Sequence, residues 1–307
     1  MNSTSGTSAR GGLVWRKPVV AGVDGSYSAL AAVERAAAEA AAHSTTLRLV
    51  AAVEWATYRA VGLPASGQDH LREVLVEQAR GHLATAQARV AALFPALEVA
   101  GDVIGGAAAA ALERESVGAS LLVVGGRGTG GFGELLLGST ALALAAHARC
   151  PVAVVRDVTR ADAPVVVGVD DSPGREDILR VGFTEAAAHG CELFVVHAWN
   201  TATLDPLALP LLDWELVEST SDDVVATWTA PWEKEFPEVA VRRVFVRDGA
   251  AGALTALSED AREVVVGSRR RGAVRDFLLG SVSRALVHHA MCSVLVVPPP
   301  DADATTA

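Results

Sequence analysis

Short valine-rich runs alternate along the whole chain with longer stretches of helical periodicity. In the first half the runs fall at 19–23, 47–53, 97–104, 121–124 and 152–155, and in the second at 165–169, 193–199, 239–246, 264–266 and 294–297. Their apolar residues are consecutive rather than alternate, which predicts strands buried on both faces in a parallel sheet covered by helices. Ser26 is a candidate N-cap for a helix running through an alanine-rich stretch to His43. Ser172-Pro173 reads as an N-cap followed by proline at the first helical position, with Gly190 as the stop. Leu71, Val74, Leu75, Ala79, Leu83, Ala86, Val90 and Leu93 recur at spacings of three and four, which defines one face of a helix. The pattern predicts an α/β, doubly wound fold.

The pattern is written twice. Val19-Val20-Ala21-Gly22-Val23-Asp24-Gly25-Ser26 is answered by Val166-Val167-Gly168-Val169-Asp170-Asp171-Ser172, with Asp170 lying 146 residues after Asp24. Gly125, Gly138 and Cys150 are answered by Gly267, Gly280 and Cys292 at a constant 142 residues. A constant offset across the second half of each unit marks duplication of a whole domain, with a variable segment in its middle. The 307 residues also match two domains of roughly 150 each. The expected division is a tail over 1–16, a first domain over 17–157, a linker over 158–163, a second domain over 164–298 and a polar tail over 299–307.

Half of the residues are apolar but only 5% are aromatic, so the cores must be aliphatic. The formal net charge of −10 excludes a nucleic-acid binder held by overall charge, although a local pocket can still attract phosphate. Three cysteines cannot form a disulfide framework and fit a reducing compartment. Cys150 and Cys292 are expected as core thiols, and Cys191 as the start of a strand. Residues 1–12 lack the apolar stretch of a signal peptide, and no run approaches the roughly 18 apolar residues of a membrane span. A cytoplasmic setting without a membrane partner is expected. His147, His288 and His289 make no metal-ligand spacing with Cys, Asp or Glu, so no metal held by the protein itself is expected. Trp214, Trp228 and Trp232 fall in the variable segment of the second unit, where packing of a helix on the sheet is the expected role.

Candidate chemistry lies in Gly125-Gly126-Arg127-Gly128-Thr129-Gly130-Gly131, directly after a buried strand. Ten residues beyond Gly128 comes Gly138-Ser139-Thr140, which opens a helical stretch. Strand ends in open α/β sheets face the ligand crevice, and glycine lets backbone N–H groups approach phosphate closely. A helix beginning at Ser139 adds free N–H donors and the positive end of a dipole. The reading is a two-piece phosphate cradle, against the alternative of a glycine turn without a ligand. Gly126, Gly128 and Gly131 satisfy G-x-G-x-x-G, but they follow the fourth strand and lack the acidic partner about 20 residues on. Arg127 would neutralise phosphate or sit solvated. Asp24 would accept ribose hydroxyls or close a turn.

The spacing Gly125-x2-Gly128-x9-Gly138-Ser139 lies between a valine-rich strand and His147-Ala148-Arg149-Cys150-Pro151-Val152-Ala153-Val154-Val155. It resembles the signature of the nucleotide-binding universal stress protein family, in two tandem copies that leave out only the tails. The resemblance implies two domains, each a five-stranded parallel sheet of order 3-2-1-4-5, that bind ATP at the strand ends with Mg²⁺ or Mn²⁺. It implies that Asp24 holds the ribose, that Val23 or Asp24 and Ala52 meet the adenine, and that Gly125, Arg127, Gly128, Gly138, Ser139 and Thr140 surround the phosphates. It further implies a nucleotide-dependent regulatory role with an as yet unknown protein partner. The two copies would form an internal pseudo-dimer through residues 152–155 and 294–297, and a further homodimer is open.

In the second copy the corresponding residues are Asp170, Ala198, Gly267, Arg269, Gly280, Ser281 and Val282, but Arg270 replaces the second signature glycine. Its bulk would intrude on the phosphate space, whereas three successive arginines would attract a triphosphate. Weaker or altered binding in the second copy is expected, with the first the firmer site. No general base, nucleophile or lysine clamp is assembled, so efficient turnover is not expected, while slow hydrolysis of held Mg·ATP is compatible with such a cradle. Two other readings remain. One is a nucleotide alpha hydrolase or adenylyl-transferring enzyme, faintly echoed by Gly22-Val23-Asp24-Gly25-Ser26. The other is a ligand-free interaction scaffold.

Overall fold

The structure, a computed structural model, describes residues 15, 17–54, 65–126, 138–156, 160, 162–199, 212–247, 249–268 and 279–300. The first copy runs β1 (Val19–Gly22), α1 (Tyr27–Ala42), β2 (Leu47–Val53), α2 (Ala65–Leu93), β3 (Val99–Gly105), α3 (Ala108–Ser116), β4 (Leu121–Gly125), α4 (Ser139–His147) and β5 (Val152–Val155). The second repeats it as β6 (Val165–Val169), α5 (Arg175–His189), β7 (Leu193–Trp199), α6 (Trp214–Glu235), β8 (Val241–Arg247), α7 (Ala250–Leu257), β9 (Glu263–Gly267), α8 (Ser281–His289) and β10 (Ser293–Val297).

Among the described residues the strands form one ten-stranded sheet, in the order β3-β2-β1-β4-β5-β10-β9-β6-β7-β8. Each half has the expected 3-2-1-4-5 order, and every pair within a half is parallel. The halves meet where β5 and β10 pair antiparallel, with Val154 opposite Val294 and Val152 opposite Val296. This is the pairing the sequence pointed to between the last strands. Arg156 secures the joint from one side, donating to the carbonyl oxygens of Val287 (2.6 Å) and His288 (3.1 Å) near the end of α8.

The inner strands are buried because helices cover both faces of the sheet. One layer, from α1, α2, α5 and α6, packs on Leu49, Val123, Val167, Val195 and Val265; the other, from α3, α4, α7 and α8, packs on Leu122, Val154, Val264 and Val294. Alanines at 32, 36, 37 and 40 bring α1 close to the sheet, as an aliphatic core requires. In α2, Ala79, Leu83, Ala86 and Val90 are buried, but Val74 and Leu93 of the expected face are exposed because the helix runs past the edge of the core. Trp228 and Trp232 of α6 pack against the core, in line with the expected role.

Several boundaries differ from expectation. The edge strands β3 and β8 begin at Val99 and Val241, two residues later than read, because their outer faces are exposed and carry no continuous apolar run. Ser26 does cap α1, accepting from the Ala29 N–H at 3.1 Å, and Gly190 ends α5 in the left-handed region at φ 63°. Ser172, however, is not the cap of α5, whose N-cap is Gly174. The Ser172 N–H donates to Asp170 Oδ1 (3.1 Å), and the Arg175 N–H donates to the Ser172 carbonyl (3.1 Å). Two successive turns therefore consume residues 170–174. Cys191 lies in the turn before β7 rather than in the strand. Cys150 and Cys292 are buried, and burial pushes both thiols up to about 12.

Candidate nucleotide site

The sheet order places a crevice in each copy between the C-terminal ends of its first and fourth strands, where successive connections leave to opposite faces. In the second copy this crevice is a cavity of about 340 Å³, at the small end of the range for ligand sites. Asp170, Ala198, Gly267, Gly280, Ser281 and Val282 all line it, so six of the seven expected second-copy residues are brought together. The seventh, Arg269, lies outside the described residues, as do Arg127, Gly128 and Arg270.

Each element contributes for a local reason. Asp170 follows β6, and its Asx turn holds the carboxylate at the crevice mouth. The Gly280 N–H donates to the Ser268 carbonyl at 2.7 Å, which fixes the start of α8 against the end of β9. Gly280 is the N-cap of α8 and supplies no side-chain cap, so the first turn of the helix opens on the cavity with amides that have no partner within the helix. A second helix start, α7, adds Gly249, Ala250 and Ala251 to the lining. Gly249 has φ 69°, a left-handed conformation that favours glycine and lets the chain turn sharply from β8 into α7. Two positive helix ends thus face one hollow. Its walls are apolar, formed by Ile178, Val196, Leu254 and Val266, and Trp199 stands beside Ala198. The α7 contribution and Trp199 were missed by sequence reasoning. The available signal was Gly249 before a short alanine-rich helix and an aromatic one residue beyond the expected adenine contact.

The first copy repeats the frame. Asp24 Oδ1 accepts from the Ser26 N–H at 2.9 Å. The Gly138 N–H donates to the Gly126 carbonyl at 2.9 Å, and Gly138 is the N-cap of α4 without a side-chain cap. Val23 and Ala52 stand at the ends of β1 and β2, and Ser139 and Thr140 open α4. Gly125 has a packing role, since a Cβ there would lie 2.4 Å from Ser28 Oγ and 2.7 Å from the Ser28 backbone. Gly25, at φ 82°, is covered by the imidazole of His82 from α2. In the second copy His197, near the end of β7, meets Trp228 edge-on at 5.3 Å. Burial lowers its pKa against the opposing pull of Asp170 and Asp171.

Comparison with known proteins fits this duplicated frame. The sequence model described as the Universal stress protein family matches residues 16–156 and again 163–298. The chain belongs to the universal stress protein family. It is 36% identical over 289 residues to universal stress protein Rv2623 of Mycobacterium tuberculosis, covering 91% of this chain and 95% of that protein. It is 34% identical over 310 residues to universal stress protein Mb2019 of Mycobacterium bovis, covering 94% and 97%. In fold it is similar to the crystal structure of a universal stress protein from Archaeoglobus fulgidus, with a TM-score of 0.68 at 18% identity over 94% of this chain and 99% of that one. As in the sequence, no helix among the described residues is long and apolar enough to cross a membrane.

Proposed function

We propose that this universal stress protein binds an adenine nucleotide at the strand-end crevices and works as a nucleotide-dependent regulatory module. The observation that carries the reading is the cavity of the second copy, where Asp170, the apolar slot beside Ala198 and the N-terminal turn of α8 face one space. The slot suits a purine, the carboxylate suits a pair of ribose hydroxyls, and the helix ends suit phosphate. Trp199 offers an aromatic wall to the base. The first copy supports a parallel role for Val23, Asp24, Ala52, Gly138, Ser139 and Thr140 through the same turn and the same helix start.

Mg²⁺ or Mn²⁺ would reach this site bound to phosphate oxygens, since such ions need only one or two protein oxygens. Asp170 and Ser281 supply oxygen donors to the lining. What the chain itself contributes is binding, orientation and exclusion of water from the apolar slot.

The test is direct. Purified protein is denatured and its supernatant assayed for adenine nucleotide, and the nucleotide-free protein is titrated with Mg·ATP and with AMP by calorimetry. Released nucleotide, or saturable binding that stabilises the fold, supports the reading. An empty supernatant, with neither heat nor thermal shift, would leave an interaction scaffold as the better description.

A further inference from the structure

The helices α1 and α5 pack over strands on either side of the joint, α1 on β5 and α5 on β9 and β10, and their facing side chains meet across it. Arg35 of α1 donates to Glu39 Oε1 (2.5 Å) on its own helix, to Glu185 Oε2 (3.2 Å) on α5 and to Glu263 Oε2 (2.9 Å) on β9. His189, one turn beyond Glu185, places Nε2 3.2 Å from Glu39 Oε1 and 3.6 Å from Glu185 Oε2. His43 Nε2 lies 3.6 Å from Glu39 Oε2, and its ring is stacked on Trp15. Glu39, Glu185 and Glu263 are all buried. This grip is built once per chain, because Val181 stands in the second copy at the place of Arg35 and Leu121 in the first at the place of Glu263. Three carboxyl groups drawn from both copies therefore share one guanidinium.

Protons balance the network. Carboxyl groups crowded together in a buried site do not all ionise at neutral pH. Burial, and then the charges of Glu39 and Glu263, push Glu185 up to about 8. Burial works against a charged His189, but Glu185 and Glu39 outweigh it and hold the imidazole up at about 9. Burial also opposes ionisation of Glu39, yet Arg35, followed by His189 and His43, keeps it well below the ordinary carboxylate range. At neutral pH Arg35 and protonated His189 then stand against Glu39 and Glu263, while Glu185 carries its proton. The other ionisable neighbours are Arg262, just before β9, which acts on His189, and the Cys191 and Cys292 thiols near Glu263, both raised by burial. Loss of the two protons would leave three buried carboxylates around Arg35.

We propose that this network is a proton-operated clasp between the two copies, which holds α1 against α5 while Glu185 and His189 carry their protons and slackens when they give them up. The sign follows from linkage. A carboxyl that binds its proton more tightly in the fold loses stability as pH rises from 4.5 towards about 8. The imidazole contributes fully below pH 6.5, and that contribution is lost as pH rises through about 9. Between 6.5 and about 8 both groups act in the same direction, so the joint firms on acidification. The helices α1 and α5 begin shortly after Asp24 and Asp170, so the clasp also sets how firmly the two crevice frames are held to each other. It needs no ligand and stands whether or not the crevices bind nucleotide.

The test follows urea unfolding of the full chain across this pH range at fixed ionic strength. Glu185→Gln keeps the shape of the protonated carboxyl and removes its titration. Its folding equilibrium constant is expected to gain on the wild type by about tenfold per pH unit between about pH 5 and 7.5, and the gain to level off above about pH 8. The wild-type advantage over His189→Gln is expected to stay constant below about pH 6.5 and to shrink by about tenfold per pH unit from there to about pH 9. A network of fixed charge would give variants whose pH curves run parallel to the wild type, and that result overturns the clasp. Should a variant not fold, amide hydrogen exchange in the wild type decides. Protection factors in β5 and β10, corrected for intrinsic exchange, should rise as the solution is acidified from about pH 8 to about pH 6, and unchanged protection overturns the proposal.

Discussion

Leu295 of β10 lies opposite Ala153 of β5, and this register joins two five-stranded sheets into one. Leu295 is 2% exposed and belongs to a core cluster that draws residues from both copies. Truncation to alanine therefore empties space at the joint rather than inside one copy. Leu295→Ala is expected to cost about 2–5 kcal/mol, read as a lower urea midpoint by circular dichroism. Since β10 is bonded to β5 and to β9, the first-copy and second-copy signals should shift together. A shift confined to the second copy would mean that the halves fold independently.

Asp170 plays two roles that a conservative change separates. Its Oδ1 closes the turn with the Ser172 N–H, and the proposed nucleotide reading has its charge meet ribose hydroxyls. Asparagine keeps an acceptor for the turn and removes the charge. Asp170→Asn is expected to leave the melting temperature nearly unchanged while weakening binding by about 1.5–3 kcal/mol, on the order of 10- to 100-fold in Kd. Calorimetry with AMP and with adenine alone checks the assignment. The loss should appear with AMP and be absent with the free base.

What the sequence disclosed and what it hid follow from where each signal resides. The inner strands were legible because burial on both faces writes valine at consecutive positions, and β2, β5, β6 and β7 match their runs end to end. The edge strands β3 and β8 carry that signal on one side only, so their starts were misplaced. The start of α5 was misjudged because Ser172-Pro173 also suits a turn, and the Asp170 carboxylate decides in favour of the turn. At the candidate site, Asp170, Gly267 and Gly280 stood out as punctuation after strands and before a helix. Leu254 and Trp199 did not, since only the packing of α7 beside β6 and β7 turns them into a wall. Glu39 and Glu185, which both accept from Arg35, lie 146 positions apart in sequence. No local pattern announces that meeting, which depends on the antiparallel joint between β5 and β10.

Gly182 sits inside α5, where helix propensity favours alanine by about 0.8–1.0 kcal/mol. Packing opposes the exchange. A Cβ at Gly182 would lie 2.2 Å from Val167 Cγ2 on the buried strand β6. Valine is stiff about its single preferred rotamer, so relief requires α5 to lift from the sheet. Overpacking of this kind costs about 1–3 kcal/mol, enough to reverse the propensity gain. Gly182→Ala is therefore expected to lower the melting temperature, and a stabilised variant would show that α5 is free to shift.

Cys150 and Cys292 give the fold a defined alkaline weakness. Burial raises both thiols to about 12 from an ordinary value of 9.0. Below about pH 9 both the folded and the unfolded chain keep these protons, and no penalty arises. Between about pH 9 and 12 the unfolded chain releases them while the folded chain retains them, so stability falls as pH rises. Each thiol contributes a slope of about 1.4 kcal/mol per pH unit across that window. The double variant Cys150→Ala/Cys292→Ala is expected to be somewhat less stable at pH 7, through lost packing, yet to show a visibly flatter decline between pH 9 and 11 in urea titrations. Parallel declines in the two proteins would assign the alkaline loss to other groups. The same burial predicts that iodoacetamide leaves both thiols unmodified in the native protein at pH 8 and reaches them once urea unfolds it.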